Sequence, residues 1–343
     1  MKPLVSILIP AYNAQPWIAD AINSALHQTW PHKEIIVVDD GSTDRTRFIL
    51  DKFSKKGVAV VLQENQGASA ARNKAFSLCH GDYIQWLDAD DILAPDKISR
   101  QMEFAMECNN KQILLSSEWG QFLYRIRYAN FVPTVLWEDL SPLEWLIRKM
   151  SLNIWMQPGC WLVSRELTEA AGPWDERLSF DDDGEYFCRV LLKSDQVKFI
   201  RDARVYYRAS GSASLSTLNG SNKKLESAWL SIRQHIKYLR LMEESERTRQ
   251  AAIKYLQTWL TAFNPQRPDI IEKIKEMARA LGAEIELLET VELLRWKFAW
   301  MQNIFGRRFA YWAQIHLPRF KHWTIRSWDK AAFQFEKLTQ PKL

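Results

Sequence analysis

Three carboxylates fall within four residues at the end of one apolar run: Tyr83-Ile84-Gln85-Trp86-Leu87 is followed by Asp88-Ala89-Asp90-Asp91. The run is aromatic and aliphatic, which predicts a buried strand, so the carboxylates stand where it leaves the core. Asp88 and Asp90 share one face while the chain stays extended. Two such groups repel unless a cation lies between them, and a hard divalent ion carrying a phosphorylated ligand meets that need. Asp91 reads as the start of the next turn. Further acidic residues close the run Glu34-Ile35-Ile36-Val37-Val38 (Asp39, Asp40) and open the helical spacing of Tyr186 to Leu192 (Asp181-Asp182-Asp183-Gly184-Glu185). Each has an ordinary explanation alone. Asp-Gly begins turns, acids at a helix start gain about 0.3–1 kcal/mol from its dipole, and Arg72 suits a solvated helix face.

The elements that must position these groups alternate. Strands are expected at Val5–Ile9, Glu34–Val38, Val58–Leu62 and Tyr83–Leu87. Helical patterns lie between them: Ile18 to Leu26, a segment ending near Lys55, and Ser69 to Cys79. This βαβα order predicts a mostly parallel sheet with helices on both faces and right-handed crossovers. Ligands of such sheets bind outside the carboxyl ends of the strands. Here those ends carry Pro10-Ala11-Tyr12-Asn13, Asp39-Asp40, Glu64-Asn65 and Asp88-Ala89-Asp90, which would converge on one crevice. The middle is less regular. It has a helix from Pro95 to about Cys108, a strand at Ile113–Leu115, a helix near Trp145–Met150, a loop at Gln157-Pro158-Gly159-Cys160-Trp161 and a strand from Lys198 to Tyr207. From Asn222 on, only helices fit: Leu225 to Met242, Arg247 to Phe263 and Ile270 to Leu281. The main boundary is expected near 220.

The 343 residues are 47% hydrophobic and 25% charged, as in folded globular proteins. The net charge of +5 hides an asymmetry, because residues 295–343 alone carry +8. That stretch also holds Trp296, Trp300, Trp312, Trp323 and Trp328. Such a mixture suits packing on a catalytic domain or an anionic membrane surface, more than a nucleic-acid arm. Cys79, Cys108, Cys160 and Cys188 are scattered and are expected to be reduced thiols. His27, His32 and His80 lack metal-ligand spacing. No signal-peptide core and no membrane span is read, so a cytoplasmic protein is expected, peripheral at the inner face of the membrane if the tail docks there.

In their order, several segments together resemble glycosyltransferase family 2, the inverting, nucleotide-sugar-dependent enzymes of the GT-A fold. They are Val5–Asn13, Glu34–Asp44, Glu64–Gly67 with Ala71-Arg72-Asn73, and Gly81–Asp91. The resemblance is dense over 1–100, thinner to 216 and absent after 220. It implies a Rossmann-like GT-A domain over 1–220, with the donor site in about 1–110 and the acceptor side in about 111–220, and a helical C-terminal extension over 221–343. It also implies roles. Pro10, Ala11 and Tyr12 with Asp39 and Arg72 form the nucleotide-base pocket, Asp88 lies near the ribose, and Asp90 binds Mn²⁺ or Mg²⁺. Arg208, in Tyr207-Arg208 before Ser212 and Ser214, faces phosphate or is an exposed strand-end residue, while Trp161 and Glu185 lie on the acceptor side, where Trp161 stacks on a sugar or, the favoured alternative, fills core. The general base belongs to the acidic motif; Asp183 aligns with it, and Asp181 and Asp182 remain alternatives. Glu292-Leu293-Leu294-Arg295-Trp296 resembles the Gln-x-x-Arg-Trp motif of processive synthases but begins with Glu, so a non-processive enzyme is expected. It would move one sugar from a nucleotide diphospho-sugar, UDP-linked by default, to a glycan or lipid-linked acceptor in cell-surface polysaccharide or glycoconjugate biosynthesis. A sugar-phosphate nucleotidyltransferase would need a Gly-rich phosphate loop with a basic residue after the first strand, which Pro10–Asn13 lacks. A catalytically inactive scaffold is disfavoured by the intact carboxylates.

Overall fold

Runs of β-branched residues become strands covered on both faces. A computed structural model describes residues 2–209, 221–263, 266–287 and 323–336. Its first half alternates β1 (Val5–Ala11), α1 (Ile18–Leu26), β2 (Lys33–Asp40), α2 (Thr46–Ser54), β3 (Ala59–Gln63), α3 (Ala68–Leu78) and β4 (Tyr83–Trp86). The chain continues through β5 (Ile92–Leu93), α4 (Lys97–Cys108), β6 (Ile113–Phe122), β7 (Asn130–Phe131) and α5 (Pro142–Leu152). Then come β8 (Val163–Ser164), α6 (Arg165–Ala171), α7 (Asp182–Lys193) and β9 (Gln196–Arg208).

The main sheet has the order β3-β2-β1-β4-β8, parallel except for β8. From β1 the chain builds outward through β2 and β3, then returns to place β4 on the other side. The order therefore reverses between β1 and β4, where ligands of open α/β sheets bind. Pro10–Tyr12 and Asp88 leave the sheet at that point.

A second sheet, β5-β9-β6-β7, is not foreseen in the sequence. Its β6 and β9 run parallel, with a register shift between Ser117 and Glu118; β6 extends far beyond the expected Ile113–Leu115, while β9 is close to the expected Lys198–Tyr207. The two-residue β5, directly after Asp91, pairs with the end of β9 and so ties the carboxylate turn to this sheet.

Between the sheets lies an aromatic core. Trp86 meets Trp174 edge-on at 5.2 Å, and Trp174 stacks on Tyr186 of α7 at 4.1 Å. α7 is thereby packed behind β4. Beyond 220, α8 (Asn222–Met242) packs on α7, α9 (Glu246–Leu260) on α5, and α10 (Pro268–Ala280) on α9. A reciprocal cap between Ser245 and Thr248 starts α9.

A helix over 323–336 lies on the first half of the chain. Its Asp329, buried, accepts from the backbone N–H of Tyr124 at 2.9 Å and from Arg125 Nε at 2.6 Å. Glu336 accepts from Arg127 at 2.6 Å, and Phe333 meets Trp17 and Tyr124. Ser212, Ser214, Glu292–Trp296, Trp300 and Trp312 lie outside the described residues. All four cysteines are free thiols. Among the described residues, no helix is long and apolar enough to cross a membrane.

Candidate active site

The mouth of the crevice is built from two loops bonded to each other. Asn13 takes the left-handed backbone region, φ 48°, after β1. Its N–H donates to Ser42 Oγ at 2.9 Å. Its side-chain oxygen accepts from Thr43 N at 2.8 Å and Asp44 N at 3.3 Å. Asp39 is buried at the end of β2 and accepts from Ser42 N at 3.2 Å. Tyr12 is half exposed at the rim, while Ala11 is buried.

Asp40 has a task that the Asp-Gly turn does not reveal. Its carboxylate accepts from Gln66 N at 2.9 Å, Gly67 N at 2.8 Å and Gln63 Nε2 at 2.7 Å. These bonds fix the start of α3, where orphan N–H groups favour an anion. The helix then presents Arg72 to the crevice.

Arg72 is buried, not solvated. One guanidinium nitrogen donates to Asp88 at 2.9 Å and the other to Asp182 at 2.6 Å. The guanidinium plane lies 4.3 Å from the Trp174 ring centre. Although burial opposes its charge, Asp182 and Asp88 raise its pKa above the ordinary value. Next to it, Asn73 exchanges two hydrogen bonds with the Trp174 backbone, at 2.8 and 3.0 Å. The Arg72-Asn73 pair thus fastens the segment that leads into α7.

The three aspartates before Gly184 part ways. Asp181 accepts from Ser231 of α8 at 2.6 Å. Asp182 is held by Arg72 and by Ser69 at 3.3 Å. Asp183 alone of the three has no ion-pair or hydrogen-bond partner for its carboxylate among the described residues. Burial, then the charges of Asp182 and Asp181, push its pKa up to about 7.

Asp90 is pushed up to about 6, by burial first and then by the Asp88 charge. Asp91 is fully buried and accepts from Arg208 N at 2.9 Å, which locks the end of β9. It is a structural carboxylate with a defined partner. Arg208 is buried as well. It donates to the Asp90 carbonyl at 2.8 Å and to Asp20 at 3.0 Å, and it stacks on Trp17 at 4.2 Å. In this arrangement it tethers the carboxylate turn and turns no free guanidinium toward a phosphate.

Of the two acceptor-side candidates, Trp161 takes its core alternative and Glu185 lies elsewhere. Trp161 is in the core, stacked on Phe187 at 5.1 Å and edge-on to Trp145. Glu185 is buried and taken by Arg189 and Tyr238, each at 2.8 Å. Those two partners, one turn along α7 and on α8, hold Glu185 away from the crevice. Lys97 is the other surprise. It is fully buried and bonds Gln85, which donates to the carbonyls of Trp86 and Gly159 beneath the Asp88 turn. Burial pulls its pKa down to about 7.

No group of three or more His, Cys, Asp or Glu forms a closed metal cage among the described residues. Asp88 and Asp90 still fit a hard divalent ion. Such an ion uses one or two carboxylates and completes its shell with substrate phosphates and water.

Residues 6–169 match the sequence model of Glycosyl transferase family 2. The chain is 30% identical to the glycosyltransferase GlyG of Streptococcus pneumoniae over 227 residues, 62% of this chain and 73% of GlyG. It is 49% identical to TuaG of Bacillus subtilis, named for teichuronic acid biosynthesis, over 109 residues. That match covers 31% of this chain and 43% of TuaG, less than half of that protein's length. Among solved structures, Staphylococcus aureus TarS 1–349 in complex with UDP-GlcNAc superposes with a TM-score of 0.65 at 19% identity, covering 81% of each chain. The shared fold is GT-A.

Proposed function

The chain belongs to glycosyl transferase family 2, and from that premise we propose that it moves one sugar from a nucleotide diphospho-sugar to an acceptor hydroxyl with inversion. A UDP-sugar is the default donor and a glycan or lipid-linked molecule the acceptor. Kinship with TuaG supports a place in cell-surface polysaccharide or glycoconjugate biosynthesis. One observation carries the reading: a single guanidinium, Arg72, spans Asp88 on the donor side and Asp182 beside the candidate base. Donor and acceptor chemistry are thereby brought within one side chain's reach.

In this reading Asp39 accepts from the imide N–H of the base, beside the backbone of Pro10, Ala11 and Tyr12. Asp88 faces the ribose. Asp183 takes the proton of the acceptor hydroxyl as that oxygen bonds to the anomeric carbon. The bond from that carbon to the diphosphate oxygen breaks, and its electron pair leaves with the nucleoside diphosphate. A base held near the working pH is both ionised and able to accept, which the pKa of about 7 at Asp183 supports. Asp90, with Asp88, would hold Mn²⁺ or Mg²⁺, which when bound neutralises charge on the leaving diphosphate.

Transfer assays with a panel of UDP-sugars and Mn²⁺ test this. Asp90→Ala and Asp183→Asn should each lower transfer by about a hundredfold or more. Transfer near the wild-type rate in both variants overturns the mechanism.

The division into a catalytic region, 1–220, and a helical region, 221–343, belongs to the same proposal. So does docking of 295–343 on an anionic membrane at the cytoplasmic face. The +8 charge of that stretch supports docking, and its only two acids, Asp329 and Glu336, are both occupied by Arg125 and Arg127. Co-sedimentation with anionic vesicles should need residues 295–343, and equal pelleting without them refutes the docking.

A further inference from the structure

The segment 179–185, which carries the acidic motif, is bonded along its length to α8. Ser227, Ser231, His235 and Tyr238 follow helical spacing and form one polar stripe of that helix. Ser227 Oγ accepts from the N–H groups of Ser179 and Phe180 at 2.9 and 3.0 Å and donates to the Phe180 carbonyl at 2.9 Å. One hydroxyl thus satisfies three backbone groups of the loop, its full capacity. Ser231 Oγ donates to the Asp181 carboxylate at 2.6 Å. Tyr238 donates to Glu185 at 2.8 Å, one turn into α7. His235, fully buried, has Nδ1 2.9 Å from the Tyr255 hydroxyl of α9 and 3.8 Å from the Asp181 carboxylate.

Asp181 needs this support. It is the residue that caps α7, in the left-handed region at φ 56°, yet its side chain makes no capping bond. A non-glycine residue persists in that region when its surroundings over-determine it. Here α8 does so on one side and the backbone on the other. A Cβ at Gly184 would lie 2.1 Å from Asp181 Oδ1, so a side chain at 184 would displace the Asp181 carboxylate. The buried ammonium of Lys149, from α5, supplies positive charge, and its pKa is raised by Tyr255 and Asp181 against the pull of burial.

We propose that Ser231, with Ser227, is a positioning residue for sugar transfer. By holding Asp181, α8 sets the first turn of α7, so that Asp182 meets Arg72 and Asp183 faces the acceptor. The helical region is then part of the catalytic apparatus although it lies outside the segment that matches the family. This rests on the reading of Asp183 as the base.

Steady-state transfer kinetics of the full chain test it, with Ser231→Ala, Ser227→Ala and Asp183→Asn measured side by side. Binding of UDP with Mn²⁺ is followed by thermal shift. A small displacement of a catalytic group costs up to about a hundredfold. Ser231→Ala should therefore lose about tenfold or more in kcat, with donor KM and UDP binding within about twofold of wild type. Ser227→Ala should follow the same pattern. The proposal is overturned if Asp183→Asn abolishes transfer while both serine variants keep kcat within about twofold. It is also overturned if their kcat loss is matched by a loss of UDP binding, which marks general unfolding. Should Asp183→Asn retain transfer, the base assignment falls first, and the positioning role falls with it.

Discussion

Replacing Asp183 by Asn should make the protein both inactive and, at alkaline pH, more stable. The carboxyl is held at about 7 in the folded chain against 3.8 in its ordinary state, by burial first and by its acidic neighbours second. Between those values the folded state keeps a proton that the unfolded state has released. The stability this contributes is complete below the unfolded value and is lost as pH rises through about 7. Asparagine has no such titration. At about 1.4 kcal/mol per pH unit, raising the pH from about 5.5 to beyond 7 should cost wild type about 2 kcal/mol that the variant does not lose. Urea unfolding of both proteins at about pH 5.5 and 8.5, in chelator and without donor, reads the difference. The variant's advantage should widen by about 2 kcal/mol while its transfer rate falls by about 10²–10⁴. A gap that stays flat with pH would show that the carboxyl titrates normally and would remove the physical basis for Asp183 as a tuned base. The pairing of lost activity with gained stability is expected of a site strained for function.

Two further outcomes follow from ion pairs. Arg72→Met strands Asp88 and Asp182 and should cost about 3 kcal/mol in urea unfolding; adding Asp182→Asn should recover part of that loss, and strict additivity of the two changes would refute the bridge. Asp329→Ala removes the acceptors for the Tyr124 N–H and Arg125 Nε; amides of 323–336 should then exchange about tenfold faster, and unchanged exchange would show that the helix is held by other contacts.

The first half of the fold is legible because its signals are local. Strands β1, β2 and β4 are near-continuous apolar runs, and each ends where a polar residue leaves the core. The second sheet is not legible. β5 and β7 have two residues each, and β9 pairs with β6 across some 80 residues with a register shift inside the ladder. The partner of Arg72 is 110 residues away, so a helical Arg reads as solvated until α7 is packed. Lys97 is illegible for the same reason, since nothing local shows that β4 and the Gly159 turn enclose it. Glu185 is within the motif in sequence, but its carboxylate is taken by Arg189 and Tyr238. The α8 stripe did leave a trace. Ser227, Ser231 and His235 fall among Ala228, Ile232 and Ile236, on the apolar side of the helix, where a solvated polar residue would not be placed.

Asn13 also limits how this sequence can drift. The position demands a left-handed backbone and, at the same time, a side-chain acceptor for the turn after β2. Glycine keeps the first and loses the second; alanine loses both. Asparagine and aspartate alone combine them, and aspartate would add a charge beside Asp44. In the proposed reading, a nucleotide would meet two loops already braced by one side chain, and association would have less loop order to impose.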